Sequence, residues 1–122
     1  MLSRAERIKT ETNFNNTSFV ESPITKIDLP DGVADCIISN CVINLVPTAE
    51  KQSSFDEMYR LLKPNGRVAI SDILLTKDLP SELKSSMSLY VGCIAGASKV
   101  EEYEQYLKQA GFKGSIHLSY DQ

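Results

Sequence analysis

The chain has 122 residues, room for one small domain and not two. Its 13 lysines and arginines against 16 aspartates and glutamates leave a net charge of −3, which lacks the basic footprint of a nucleic-acid binder. With 42% apolar and 24% charged residues the composition is that of a globular domain, and no apolar run approaches the roughly 20 residues that span a bilayer.

The opening residues, MLSRAERIKTETNFNN, hold no apolar core, so no secretory signal is expected. Three cysteines without a signal point to free thiols in a reducing, cytoplasmic compartment. Residues 2–10 are polar and read as the last turns of a helix, and residues 17–20 as a short strand. Leu29-Pro30-Asp31-Gly32 is a turn, its proline preset in φ and its glycine tolerant of positive φ. Residues 34–39 (ADCIIS) form the short apolar run expected of a strand buried on both faces.

The next helix is predicted from Thr48 as N-cap, with Phe55, Met58, Tyr59 and Leu62 at the i, i+3, i+4, i+7 spacing of a buried stripe. Lys63-Pro64-Asn65-Gly66 ends it, and residues 67–74 (RVAISDIL) make the second strong strand. Residues 80–90 look helical, with Leu83, Met87 and Tyr90 on one face. Ser98 with Glu101 three residues on is a capping box opening a further helix, whose stripe is Val100, Tyr103, Leu107 and Ala110 and which Gly111 closes. Ile116, Leu118 and Tyr120 alternate with polar neighbours, as in a final strand. This order predicts an α/β fold on a parallel sheet, with helices on both faces.

Ligands of such sheets gather beyond the carboxyl ends of the strands. Cys41 lies one or two residues past the first strong strand, in Ser39-Asn40-Cys41-Val42-Ile43-Asn44. Cys36 lies inside that strand, roughly 16 Å away at about 3.3 Å per residue, and reads as a small buried hydrophobe. Cys93 falls between two predicted helices in Gly92-Cys93-Ile94-Ala95-Gly96-Ala97, where small residues admit a close approach. Taken alone, Cys41 and Cys93 read as packed thiols. Asp72 reads as a cap for the next segment, and His117 as a solvated residue of the last strand. No G-x-G-x-x-G or P-loop occurs, and one histidine without a C-x-x-C supports neither a zinc site nor a Cys–His nucleophile.

Asn40-Cys41-Val42-Ile43-Asn44-Leu45-Val46-Pro47, together with Tyr59-Arg60-Leu61-Leu62-Lys63-Pro64-Asn65-Gly66, Ile70-Ser71-Asp72 and Gly92-Cys93-Ile94-Ala95-Gly96-Ala97, resembles the arsenite methyltransferases. The similarity runs from about Thr17 to Phe112 and covers the second half of a family catalytic domain, so residues 1–122 are expected to form a single, truncated class I methyltransferase-like domain with part of a Rossmann-like sheet. The resemblance implies methyl transfer from S-adenosylmethionine to trivalent arsenic held by Cys41 and Cys93, with arsenite or its thiol conjugates as substrate and glutathione or thioredoxin as reductant. Ile24 would then contact the adenine ring and Pro23 its edge, while Asn40, Cys41 and Val42 wall the methionine part. Soft thiolates suit a soft metalloid, and holding its lone pair in line with the sulfonium methyl is worth about 7–11 kcal/mol of barrier without an acid or base.

The 122 residues hold no glycine-rich first loop, no acidic residue to grip the ribose and no additional upstream cysteine, so the alternative is a non-catalytic arsenite-binding thiol module or a partner subunit. In family geometry only the strands at 34–39 and 67–74 would keep a partner. Their open edge is expected to close by rearrangement or to pair with a second copy.

Overall fold

A computed structural model describes residues 1–86 and 93–114. The chain runs through helix α1 (Leu2–Thr12), strand β1 (Ala34–Asn40), a 3-10 turn (Ile43–Leu45), helix α2 (Thr48–Leu61), strand β2 (Leu62–Ser71), the single-turn helix α3 (Ser81–Lys84) and helix α4 (Val100–Ala110). Because α2 carries the chain back across the sheet, β1 and β2 pair in parallel, with Cys36 opposite Arg67 and Asn40 opposite Ser71. The fold is α/β, as the alternation of elements predicts.

One face of the two strands is packed. Ile37, Val68 and Ile70 pack against a core of Ile43, Phe55, Met58 and Tyr103, whose side chains come from the 3-10 turn, α2 and α4. The Phe55 ring meets Tyr103 edge-on at 5.0 Å and stacks on Tyr106 at 5.6 Å, so α2 and α4 are locked through aromatic contacts. Among the described residues the other face is bare: Cys36 and Ile38 are exposed, Ile38 to 81%, as are Arg67 and Ala69. The strand expected to be buried on both faces is covered on one, and Cys36 is an exposed thiol, not a core residue. In a strand, alternate side chains share a face, so Cys36 goes with Ile38 to the uncovered side.

Local details also depart from expectation. Residues 17–20 form no strand, and Phe19 and Val20 are exposed. Thr48 is the first residue of α2 and Pro47 its N-cap, with no side-chain cap bond. The helix stops at Leu61, and residues 63–66 bulge out of β2 between the Ala34–Leu62 and Cys36–Arg67 pairs, with Asn65 at φ 68°. Leu62 thus opens the strand, and Tyr59, half exposed, packs its ring on Phe112 instead of the main core. β2 ends at Ser71, three residues before the expected boundary.

The capping box of α4 sits one residue later than predicted: the Lys99 N–H donates to Glu102 Oε2 at 2.8 Å, while the Ser98 hydroxyl accepts a bond from Lys51. Gly111 closes α4 at φ 105°, as its position suggests. Of the helix expected over 80–90, α3 is described; Met87 and Tyr90, Gly92, and the predicted last strand with His117 lie outside the described residues.

Candidate functional site

Cys41 is the first residue beyond β1. Its N–H still donates to the Ser71 carbonyl at 2.9 Å, completing the ladder, and its φ of 53° turns the chain sharply out of the sheet. Two residues later Ile43 is fully buried in the core, and fully buried Asn44 donates from Nδ2 to the Ile73 carbonyl at 2.7 Å. The second half of the Ser39–Leu45 motif is therefore an anchor, which leaves Asn40, Cys41 and Val42 exposed at the strand end.

Cys93 reaches the same place from a segment 52 positions away. Its Sγ donates to the Cys41 carbonyl at 3.2 Å, its side chain is buried, and its backbone also lies in the left-handed region, at φ 63°. Outside glycine such a conformation is uncommon and costs about 1–2 kcal/mol, and two of the four non-glycine instances among the described residues are these thiols. Burial pushes the Cys93 thiol above its ordinary pKa, with Cys41 and Asp72 adding to the rise.

Asp72, just past β2, lies beneath both cysteines. Tyr103 donates its hydroxyl to Asp72 Oδ2 at 3.2 Å. Burial raises the carboxyl pKa, while the Tyr103 hydrogen bond, the nearby amides of Cys41 and Ile43 and the charge of Lys51 pull it down. The Cys41 N–H bonds the Ser71 carbonyl, and Asp72 Oδ1 has no hydrogen-bond partner. The partner of Asp72 is thus Tyr103 of α4, a tertiary contact in place of the local cap expected at this position. In turn, burial and Asp72 push the Tyr103 phenol far above its ordinary range.

The segment before β1 is pinned from below. Glu57 of α2 accepts the Ile27 N–H at 2.7 Å and is gripped by Arg60 at 2.6 and 2.8 Å, while Arg60 also donates to the carbonyls of Ile27 and Leu29 and to Asp31. Ile24 is half-buried against the core and Pro23 is exposed. A shallow depression of about 370 Å³ lies along the carboxyl halves of the strands, lined by Ile38, Ser39, Asn40, Ala69, Ile70 and Ser71.

Parallel strands delivering their chemistry at the carboxyl end, on a core shared with two helices, agree with the sequence comparison. A family of proteins described as "Methyltransferase domain" matches residues 1–111. The chain belongs to the methyltransferase domain family. Among curated relatives of this methyltransferase-family chain, an arsenite methyltransferase of Halobacterium salinarum is 39% identical over 113 residues, covering 93% of this chain and 28% of that protein. An arsenite methyltransferase of Aquipseudomonas alcaligenes is 40% identical over 102 residues, covering 81% and 29%. The chain therefore spans less than a third of the length of these relatives.

Among solved structures, CrArsM of Chlamydomonas reinhardtii, described as an arsenic(III) S-adenosylmethionine methyltransferase, superposes with a TM-score of 0.70 at 33% identity, over 79% of this chain and 32% of that one. YcgJ of Bacillus subtilis matches with a TM-score of 0.75 at 16% identity over 90% of this chain and 47% of its own, a likeness of fold.

Of the residues singled out from sequence, the fold unites Cys41 and Cys93 at one point and sets Asn40 and Val42 beside them, whereas Cys36 stands on the bare sheet face. Sequence reasoning missed Lys51, Tyr103 as the partner of Asp72, and the Glu57–Arg60 clamp. One signal was available: Lys51, Phe55 and Met58 fall at i, i+4, i+7, which puts a lysine on the apolar stripe. Among the described residues no group of three or more His, Cys, Asp or Glu side chains could hold a metal ion, and no helix is long and apolar enough to cross a membrane.

Proposed function

We propose that Cys41 and Cys93 hold trivalent arsenic as substrate for methylation, and that this chain supplies the arsenic-binding half of such a catalytic domain. The observation that carries the reading is the 3.2 Å contact between the Cys93 thiol and the Cys41 carbonyl, which brings two distant loops to one point at the strand ends. Left-handed backbone at both thiols supports it, since strain of this kind clusters at functional sites. The arsenite methyltransferase relatives and CrArsM give the substrate class its support.

Trivalent arsenic is thiophilic, and two thiolates give it a bidentate seat. Exchange with arsenic already carried by small thiols is proton-neutral overall, so it seats the metalloid on buried Cys93 without a net release of the cysteine proton to water. In that exchange an arsenic–sulfur bond forms to Cys93, the bond to the carrier breaks, and the cysteine proton leaves on the departing thiol. The third position on arsenic stays with a carrier thiol such as glutathione.

The cofactor read for the family is S-adenosylmethionine, which supplies an electrophilic methyl group when bound. The residues present fit one wall of its site: exposed Asn40 and Val42 flank Cys41 at the strand end, and Pro23 with Ile24 stands on the segment that Glu57 and Arg60 pin. Their part is to orient the cofactor against the seated arsenic and to exclude water from between them. A cytoplasmic setting, where small thiols and thioredoxin hold cysteines reduced, completes the proposal.

Titration with arsenite, followed by the ultraviolet absorbance of arsenic–sulfur bonds, tests the seat. One arsenic per chain is expected for the unaltered protein and for Cys36→Ser, and a loss of at least about tenfold in affinity for Cys41→Ser and for Cys93→Ser. Unchanged binding in either of the last two overturns the reading. Arsenic speciation after incubation with S-adenosylmethionine and a thiol then separates methylation from binding alone.

A further inference from the structure

Lys51 is 2% exposed, in the first turn of α2 on its buried side, and the proposed chemistry does not use it. Its ammonium donates to the Gly96 carbonyl and, at 2.9 Å, to the Ser98 hydroxyl. We propose that Lys51 is a positioning residue, holding the turn at 93–97 so that the Cys93 thiol meets Cys41. The proposal rests on the reading of Cys41 and Cys93 as the arsenic seat.

The turn is tied to the body at two points. One is the Cys93 bond to the Cys41 carbonyl, and the other is the Lys51 bond to Gly96, three residues along. Within the turn, Ala97 N–H donates to the Ile94 carbonyl at 3.1 Å, so fixing Gly96 fixes the whole loop and with it the left-handed Cys93. Downstream, Ser98 is buried and its carbonyl accepts the Leu75 N–H at 3.0 Å, which joins the same anchor to the exit of β2. Burial lowers the Lys51 pKa, and the charges of Glu102 and Asp72 offset part of that cost.

An apolar side chain would fit the stripe of Phe55 and Met58 at lower desolvation cost, since well-packed apolar replacements of buried charges are often neutral or stabilising. What the ammonium adds is direction: its N–H donors aim at one carbonyl and one hydroxyl of one loop.

The test is site-resolved alkylation with iodoacetamide, read by peptide mass spectrometry, on the full chain and on Lys51→Met. Cys93 is expected to react about tenfold faster in the variant, as its loop opens locally, while exposed Cys36 keeps its rate and the urea unfolding midpoint holds or rises. A merely structural lysine would lower the midpoint and raise the Cys93 rate only as far as that loss of global stability accounts for. A Cys93 rate within about twofold of the unaltered chain in folded Lys51→Met overturns the proposal. Should that variant fail to fold, Ser98→Ala removes one of the two acceptors, and an unchanged Cys93 rate there overturns it equally. Arsenite affinity is expected to fall with Lys51→Met as well. If the unaltered chain binds no arsenite while the alkylation shift appears, the arsenic reading fails and the positioning role stands.

Discussion

Cys41 and Cys93 share a left-handed backbone, at φ 53° and 63°, while the thiol of the second donates to the carbonyl of the first. Both turns therefore carry conformational strain at a residue whose sulfur is proposed to hold arsenic. Replacing either cysteine by glycine removes the Cβ that makes this region costly, whereas alanine keeps it. At each position the glycine variant is expected to be more stable than the alanine variant by about 1 kcal/mol, read from urea midpoints. Equal midpoints would show that the surrounding loops relax and store nothing.

Cys36 and Cys41 are exposed and Cys93 is buried, and reactivity should follow exposure. Cys36 and Cys41 are expected to be modified first, with Cys93, held above the ordinary thiol pKa by its burial, modified last. Since the thiolate is the nucleophile, the Cys93 rate should still climb with pH above the ordinary value of 9.0. A Cys93 rate that levels off below that pH would contradict the buried environment.

Acid should loosen the segment before β1. Hydrogen bonding to Arg60 holds the Glu57 carboxyl below its ordinary value of 4.5, against the opposing effect of burial. A carboxyl lowered in the folded state contributes stability above its unfolded pKa and loses it as pH falls through the folded one. Glu57→Gln is therefore expected to cost about 1.5–3 kcal/mol near neutrality and to flatten the stability curve below pH 4.5. Unfolding midpoints from pH 7 down to 3 check both parts. Parallel curves for the two proteins would refute the assignment.

The uncovered sheet face and the outer edge of β1 should promote self-association. Ile38, 81% exposed, sits at the middle of that surface opposite Ala69. Ile38→Lys is expected to shift gel-filtration elution toward the 13.5 kDa monomer. An unaltered chain that already elutes as monomer at high concentration would remove the basis for pairing through this surface.

The strands, α2, α4 and the Gly111 terminus were legible because apolar period and cap chemistry are local. Cys41 and Cys93 were singled out through motif resemblance, since composition alone assigns them no role, and the fold brings their two segments together. Cys36 was misread for a physical reason: an apolar run looks the same whether one face or two are covered, and the cover depends on what packs there. The box expected at Ser98 lies one residue on, and the Ser98 hydroxyl accepts from a lysine 47 positions away, a tertiary bond that no local pattern encodes. Tyr103 as the partner of Asp72 was hidden likewise, the two being 31 positions apart.

Helix α1 buries none of its side chains. Its loss would therefore subtract little from the packed body, and a brief protease treatment that cuts near Phe14, itself 59% exposed, should release it and leave a folded remainder. For the experimenter it is a convenient handle: an amine-reactive dye on the α-amino group of exposed Met1 would ride on the molecule without touching a thiol.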